Sequence, residues 1–159
     1  MPATLFGECL LRIFLAALCG LVIGFERKAR LKEAGVRTHL IVALGAALIT
    51  IVSKYGFFDL ALFAEGIKAD PTRIAAQIVS GVGFLGAGMI FMRHRTLTGL
   101  TTAAGIWTTA GIGMAVGCGL YAVSLFSTAL VVLTQLMLHR DYRLSLIHIS
   151  EPTRRSYIS

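Results

Sequence analysis

Charge is scarce in this 159-residue chain. Only 14% of its residues are charged, against about a quarter in average soluble domains. A chain of this size that folded in water would need far more polar surface. Proline is nearly missing, at 3 residues, so long runs go uninterrupted. Acidic residues vanish altogether between Asp70 and Asp141. Cys9, Cys19 and Cys118 are the cysteines, none of them in a C-x-x-C pair. Their apolar surroundings mark them as small packing residues rather than metal or redox groups.

What is present is hydrocarbon and glycine. Hydrophobic residues make up 56% of the chain and glycine contributes 17 positions, and the mean hydropathy is +0.78. This pattern points to an all-α membrane protein, a compact bundle of five transmembrane helices. The apolar segments run from Leu5 to Phe25, Thr38 to Lys54, Pro71 to Met92, Leu100 to Gly117 and Leu120 to Leu138. Each can cross a hydrocarbon core about 30 Å thick at roughly 1.5 Å per residue. Glu8 and Arg12 make a poor signal-peptide start, so the first segment reads as an uncleaved helix.

The formal charge of +7 does not signal nucleic acid, because the basic residues are confined to short loops. They set orientation instead. Arg27, Lys28, Arg30, Lys32 and Arg37 lie between the first two segments, Arg93 and Arg95 between the third and fourth, and Arg140 and Arg143 after the fifth. The opposite side has Arg12, Lys54, Lys68 and Arg73. The expected topology puts the N-terminus outside and the end of the fifth helix in the cytoplasm. "GFFDLALF" (Gly56 to Phe63) is expected to rest in the membrane interface.

"GVGFLG" (Gly81 to Gly86) has the G-x-G-x-x-G spacing of a dinucleotide turn. Such a turn needs a preceding strand, a following helix and an acidic residue about 20 positions on. The run is instead embedded in apolar sequence with no acid downstream. The better reading is close helix packing at small residues. Gly81, Gly83, Gly86 and Gly88 are expected to give the third helix neighbours on several sides, at the centre of the bundle. Gly20 and Gly24 offer a second small-x-x-x-small pair.

Polar residues within the apolar segments are the candidate functional positions. Asp70 is a natural N-cap for the third helix, and Arg73 and Gln77 share a face that Gly81 extends. That face reads either as a capped, hydrogen-bonded helix end or as a polar vestibule. Thr98, Thr101, Thr102, Thr108 and Thr109 are hydroxyls that can bond their own helix backbone. Thr101, Gly105 and Thr108 share one face, and Trp107 reads as a packing residue. His39, His94 and His139 show neither H-x-x-x-H spacing nor a carboxylate cluster. No nucleophile–base pair is visible, so no enzymatic activity and no cofactor are expected.

Three stretches carry a family resemblance: "IGFERKARLKEAGVRTHLIVALGAAL" (Ile23 to Leu48), "RIAAQIVSGVGFLGAGMI" (Arg73 to Ile90) and "GLTTAAGIWTTAGIG" (Gly99 to Gly113). Together the chain resembles the MgtC/SapB family of bacterial membrane proteins. The resemblance implies a five-helix inner-membrane domain linked to acclimation at low magnesium and, in some members, to survival inside host cells. It implies either a magnesium transporter or a regulator of a membrane partner such as the ATP synthase. Magnesium enters as a ligand or signal, and the oligomeric state stays open. It carries Glu26, Arg37, Thr38, Arg73, Gln77 and Gly81 over as family positions, with Thr101 standing where the pattern also admits Asn. Many members add a cytoplasmic ACT-like domain after the fifth helix. Residues Leu144 to Arg154, "LSLIHISEPTR", resemble the translation of transposon-type adapter DNA, so residues 1–143 are expected to be the native domain and 144–159 read-through.

Overall fold

The computed structural model describes residues 3–56, 70–93 and 95–147. The interface expectation for Gly56 to Phe63 falls almost wholly outside them. Five helices dominate: α1 (Ala3–Ala29), α2 (Val36–Tyr55), α3 (Pro71–Gly88), α4 (Leu100–Cys118) and α5 (Tyr121–Ile147). A two-stranded antiparallel hairpin, β1 (Phe91–Arg93) and β2 (Thr96–Thr98), joins α3 to α4, with Met92 opposite Leu97. The third apolar run therefore stops being helical at Gly88 rather than Met92. Gly99 explains the abrupt turn into α4. Its φ is +87°, and a Cβ there would collide with the Met89 carbonyl oxygen, so only glycine fits.

α4 is the central helix and packs against all four others. One core cluster joins Ala16, Cys19 and Ile23 of α1, Ala47 of α2, and Ile112 and Val116 of α4. A second joins Ala46 of α2, Ile78 and Val82 of α3, and Ile106 and Ala110 of α4, with Ala34 of the α1–α2 loop. The expectation that α3 sits centrally is corrected. It lies against α2 and α4 and buries Ile78, Val82 and Gly86, one narrow stripe at spacing four. A Cβ on Gly86 would touch Ala103 at 3.7 Å, whereas Gly81, Gly83 and Gly88 have nothing within 4 Å.

The closest backbone approaches are on other helices. At Gly20 a Cβ would lie 2.5 Å from the His39 carbonyl oxygen, and at Gly24 2.5 Å from Val36 Cα. This small-residue pair locks α1 to α2, as its spacing predicts. On α4, Gly113 presses on the Ala43 backbone, and a Cβ at Gly117 would stand 2.8 Å from Thr50 Cβ.

The outer faces are apolar. Phe6, Leu10, Phe14, Leu18, Val22 and Phe25 form a continuous exposed stripe along α1, opposite its buried face. α5 exposes Val123, Phe126, Leu130, Leu133 and Met137, and Phe84 of α3 is 80% exposed. An apolar face of this extent calls for something other than water against it. Among the described residues, two helical stretches, Thr4–Ala29 and Val36–Tyr55, are long and apolar enough to cross a membrane.

Candidate functional site

Polar groups gather at the two ends of the bundle. At one end, α1 begins with Glu8 and Arg12, one turn apart and ion-paired. Arg12 is 4% exposed. Its guanidinium donates to the Tyr55 hydroxyl at 3.1 Å, the Tyr121 hydroxyl at 3.3 Å and the Gly117 carbonyl at 2.9 Å. One side chain thus ties the start of α1 to the end of α2, the end of α4 and the start of α5. Lys54 and Arg12 both lie over the Tyr55 ring, 5.2 and 5.6 Å from its centroid.

At the other end, α1 closes with Glu26 and Arg27, and Arg30 follows it. Glu26 is buried and ion-paired with Arg30. Arg27, 2% exposed, donates from a terminal nitrogen to the Thr102 hydroxyl at 3.1 Å, and Thr102 donates to Glu33 Oε2 at 3.1 Å. The hydroxyl is a relay between a cation and an anion, and it fastens the α1–α2 loop to α4. Glu33's own backbone N–H, then the Thr102 hydroxyl, hold its carboxyl below the ordinary carboxylate range. A depressed folded value contributes stability above the unfolded value of about 4.3 and loses it as pH falls through the folded value. Acidification below about pH 4 is therefore expected to lower the hydrogen-exchange protection factors of the amides of residues 30–35, and Glu33→Gln should flatten that pH dependence.

His39 is fully buried on the first turn of α2. Its Nδ1 lies 2.9 Å from the Gly35 carbonyl. Its Nε2, the Gln135 Oε1, Arg27 Nε and Glu26 Oε2 are buried with no hydrogen-bond partner.

The positions singled out in the sequence divide between buried and exposed. Glu26 belongs to the buried cluster. Arg37 and Thr38 are exposed at the start of α2, and Thr101 is exposed beside the buried Thr102. The hydroxyl seam of α4 is accordingly Thr102, Gly105 and Thr109, not Thr101, Gly105 and Thr108. Thr108 and Thr109 bond the Ala104 and Gly105 carbonyls at 2.8 and 2.7 Å, as helical hydroxyls do. Asp70 caps α3 by accepting from the Thr72 hydroxyl at 2.6 Å and the Thr72 N–H at 2.9 Å. Arg73 is exposed. Gln77 and Gly81 share a groove of about 400 Å³ between α2 and α3, with Ile41, Ile49, Ile78 and Leu85. Gln77 is the single polar side chain on its lining, so the groove is an apolar slot with one amide rather than a polar vestibule.

Sequence reasoning gave no site role to Arg12, Arg27 and Gln135, and it weighed Thr102 and His39 without placing them in a site. A lone arginine deep in an apolar run, with an acid one turn before it, was the available signal for Arg12. His39 was passed over because it lacks a second histidine, although a buried imidazole needs partners whatever its spacing.

A bundle with a buried arginine near each end and apolar outer faces defines a class: helical proteins made to be covered by something other than water. The MgtC family model matches residues 13–143, and the chain belongs to that family. It is 47% identical over 134 residues to YhiD of Escherichia coli K12, provisionally named a magnesium transporter, covering 84% of this chain and 62% of that protein. It is 42% identical over 123 residues to protein MgtC of Brucella abortus, covering 77% and 48%. It is 40% identical over 98 residues to protein SapB of Bacillus subtilis, covering 61% and 42%. The chain thus spans roughly half the length of these relatives, from 42% to 62%. No solved structure matches it.

Proposed function

We propose that the chain is the multi-pass domain of a bacterial inner-membrane protein linked to magnesium acclimation, and that it works by binding and regulating a membrane partner, with the ATP synthase as the candidate. All five helices span the bilayer in this reading, N-terminus outside and the end of α5 in the cytoplasm. The apolar stripes on α1 and α5 support the span, and the basic residues between α1 and α2 support the orientation. The observation that carries partner binding is the outer face of α3. Ala76, Ser80, Gly83 and Ala87 recur there at helical spacing, all exposed, beside Gly81 and Gly88. Small residues are what one membrane helix offers another, and among the described residues a Cβ on Gly83 would meet nothing within 4 Å.

The second reading is magnesium transport, favoured by the name of YhiD and by Gln77 on the groove between α2 and α3. Magnesium sites usually include one or two carboxylates. Among the described residues no three His, Cys, Asp or Glu side chains converge, which ranks this reading second. Liposomes with an entrapped magnesium indicator decide between them. The regulator reading expects flux indistinguishable from empty liposomes, in wild type and Gln77→Ala alike. Saturable flux that Gln77→Ala abolishes would install transport instead, with the groove as its path.

A further inference from the structure

His39, Gln135 and Gly105 come together on three different helices, α2, α5 and α4. A Cβ on Gly105 would lie 3.6 Å from His39 Nε2 and 3.7 Å from Gln135 Nε2. Glycine therefore leaves space beside both the imidazole and the amide, and the two do not hydrogen-bond to each other in this structure. The Gly35 carbonyl fixes the imidazole tautomer. It can only accept, so Nδ1 carries the hydrogen and Nε2 presents a lone pair. Gln135 Oε1 is likewise an acceptor without a donor. Two buried acceptors across a glycine gap are costly, because each forfeits its hydrogen bonds to water.

We infer that His39 and Gln135 form a proton-binding pair that couples α5 to α2 across Gly105. One proton on Nε2 supplies the missing donor and is accepted by Gln135 Oε1. With the proton gone, the amide turns over and its N–H donates to the bare Nε2. A carboxamide is suited to this because it carries a donor and an acceptor on one rotatable group. The bond formed has opposite polarity in the two states, so the amide orientation follows proton occupancy.

The charged surroundings bear on the same proton. α1 contributes Glu26 and Arg27, both within electrostatic range of His39. Glu26 is itself ion-paired with Arg30. The α1–α2 loop contributes Glu33, itself engaged by Thr102. α4 presents Thr102 and Gly105, which do not titrate, and the group α5 brings near is the Gln135 amide. α5 is also the helix with the thinner attachment, resting on α1 and α4. A bond to α2 that changes with protonation would add a further tie to it.

The test is nitrogen NMR of the full chain, ring-labelled on histidine, in lipid nanodiscs, with His39→Gln assigning the His39 signal. On acidification through and below the ordinary imidazole range of about 6.5, Nε2 should move from the lone-pair position to the protonated one, while Nδ1 stays protonated throughout. In the same titration the Gln135 side-chain amide signal should shift in step. Gln135→Leu should move the midpoint by about one unit or more, with Gln135→Met as the second variant should leucine prevent folding. An Nε2 signal that does not titrate would overturn the pair. So would a midpoint unchanged in both Gln135 variants, or a Gln135 amide indifferent to pH.

Discussion

Replacing Arg12 with methionine is expected to cost the folded bundle about 2–5 kcal/mol, the range for breaking a buried, hydrogen-bonded charge. Methionine keeps much of the volume, so the loss reports polar contacts rather than a cavity. Its removal strands the Gly117 carbonyl, which ends α4 inside the bundle, and frees the hydroxyls of Tyr55 and Tyr121. Glu8 suffers less, because its side chain is 44% exposed. Arg12→Lys keeps the charge but not the planar fork, and one ammonium cannot reach this set of acceptors in the same geometry. It should fall between wild type and methionine. Thermal unfolding in detergent, followed by circular dichroism, checks the order. Equal midpoints for all three proteins would show that the network contributes nothing to holding the four helices together.

Enlarging glycines separates the real seams from the apparent ones. Gly20→Leu and Gly113→Leu each push a side chain into backbone of α2, at His39 and Ala43. Backbone cannot rotate aside, so each should destabilise by about 1–3 kcal/mol or more. Gly83→Leu points into open space and should leave the midpoint of the isolated chain within about 0.5 kcal/mol of wild type. Under the proposed function its effect appears elsewhere, as lost co-purification with a membrane partner. A Gly83→Leu protein as unstable as Gly113→Leu would mean that α3 has a packed neighbour on that side after all.

These two results also mark where sequence reading reached and where it stopped. Hydropathy located all five helices and their order, because a run of apolar residues has one way to satisfy its backbone in lipid. The Gly20 and Gly24 pair was legible because its spacing alone puts both on one face. The place of α3 was not. Glycine identity shows that a helix can be approached closely, not which side has a neighbour. Ile78 and Val82 mark the buried stripe only once α2 and α4 are in position. The seam of α4 was misplaced by one residue, from Thr101 to Thr102, since one position turns a helical side chain by about 100°. Arg12 finds Tyr55 and Tyr121 across 43 and 109 residues of chain, a pairing no local pattern contains.

The short reach from Glu8 to Arg12 has a consequence for biogenesis. Tyr55, Gly117 and Tyr121 are synthesised long after α1 leaves the ribosome. An unaccompanied arginine costs a segment entering the membrane up to about 2.5–3.5 kcal/mol at the helix centre and less toward its ends. Glu8 sits on the same helix and is made first, so in the proposed spanning arrangement α1 would carry its own counter-ion into the bilayer. The later helices would then gather around an arginine already in place, and the order of synthesis would become the order of assembly.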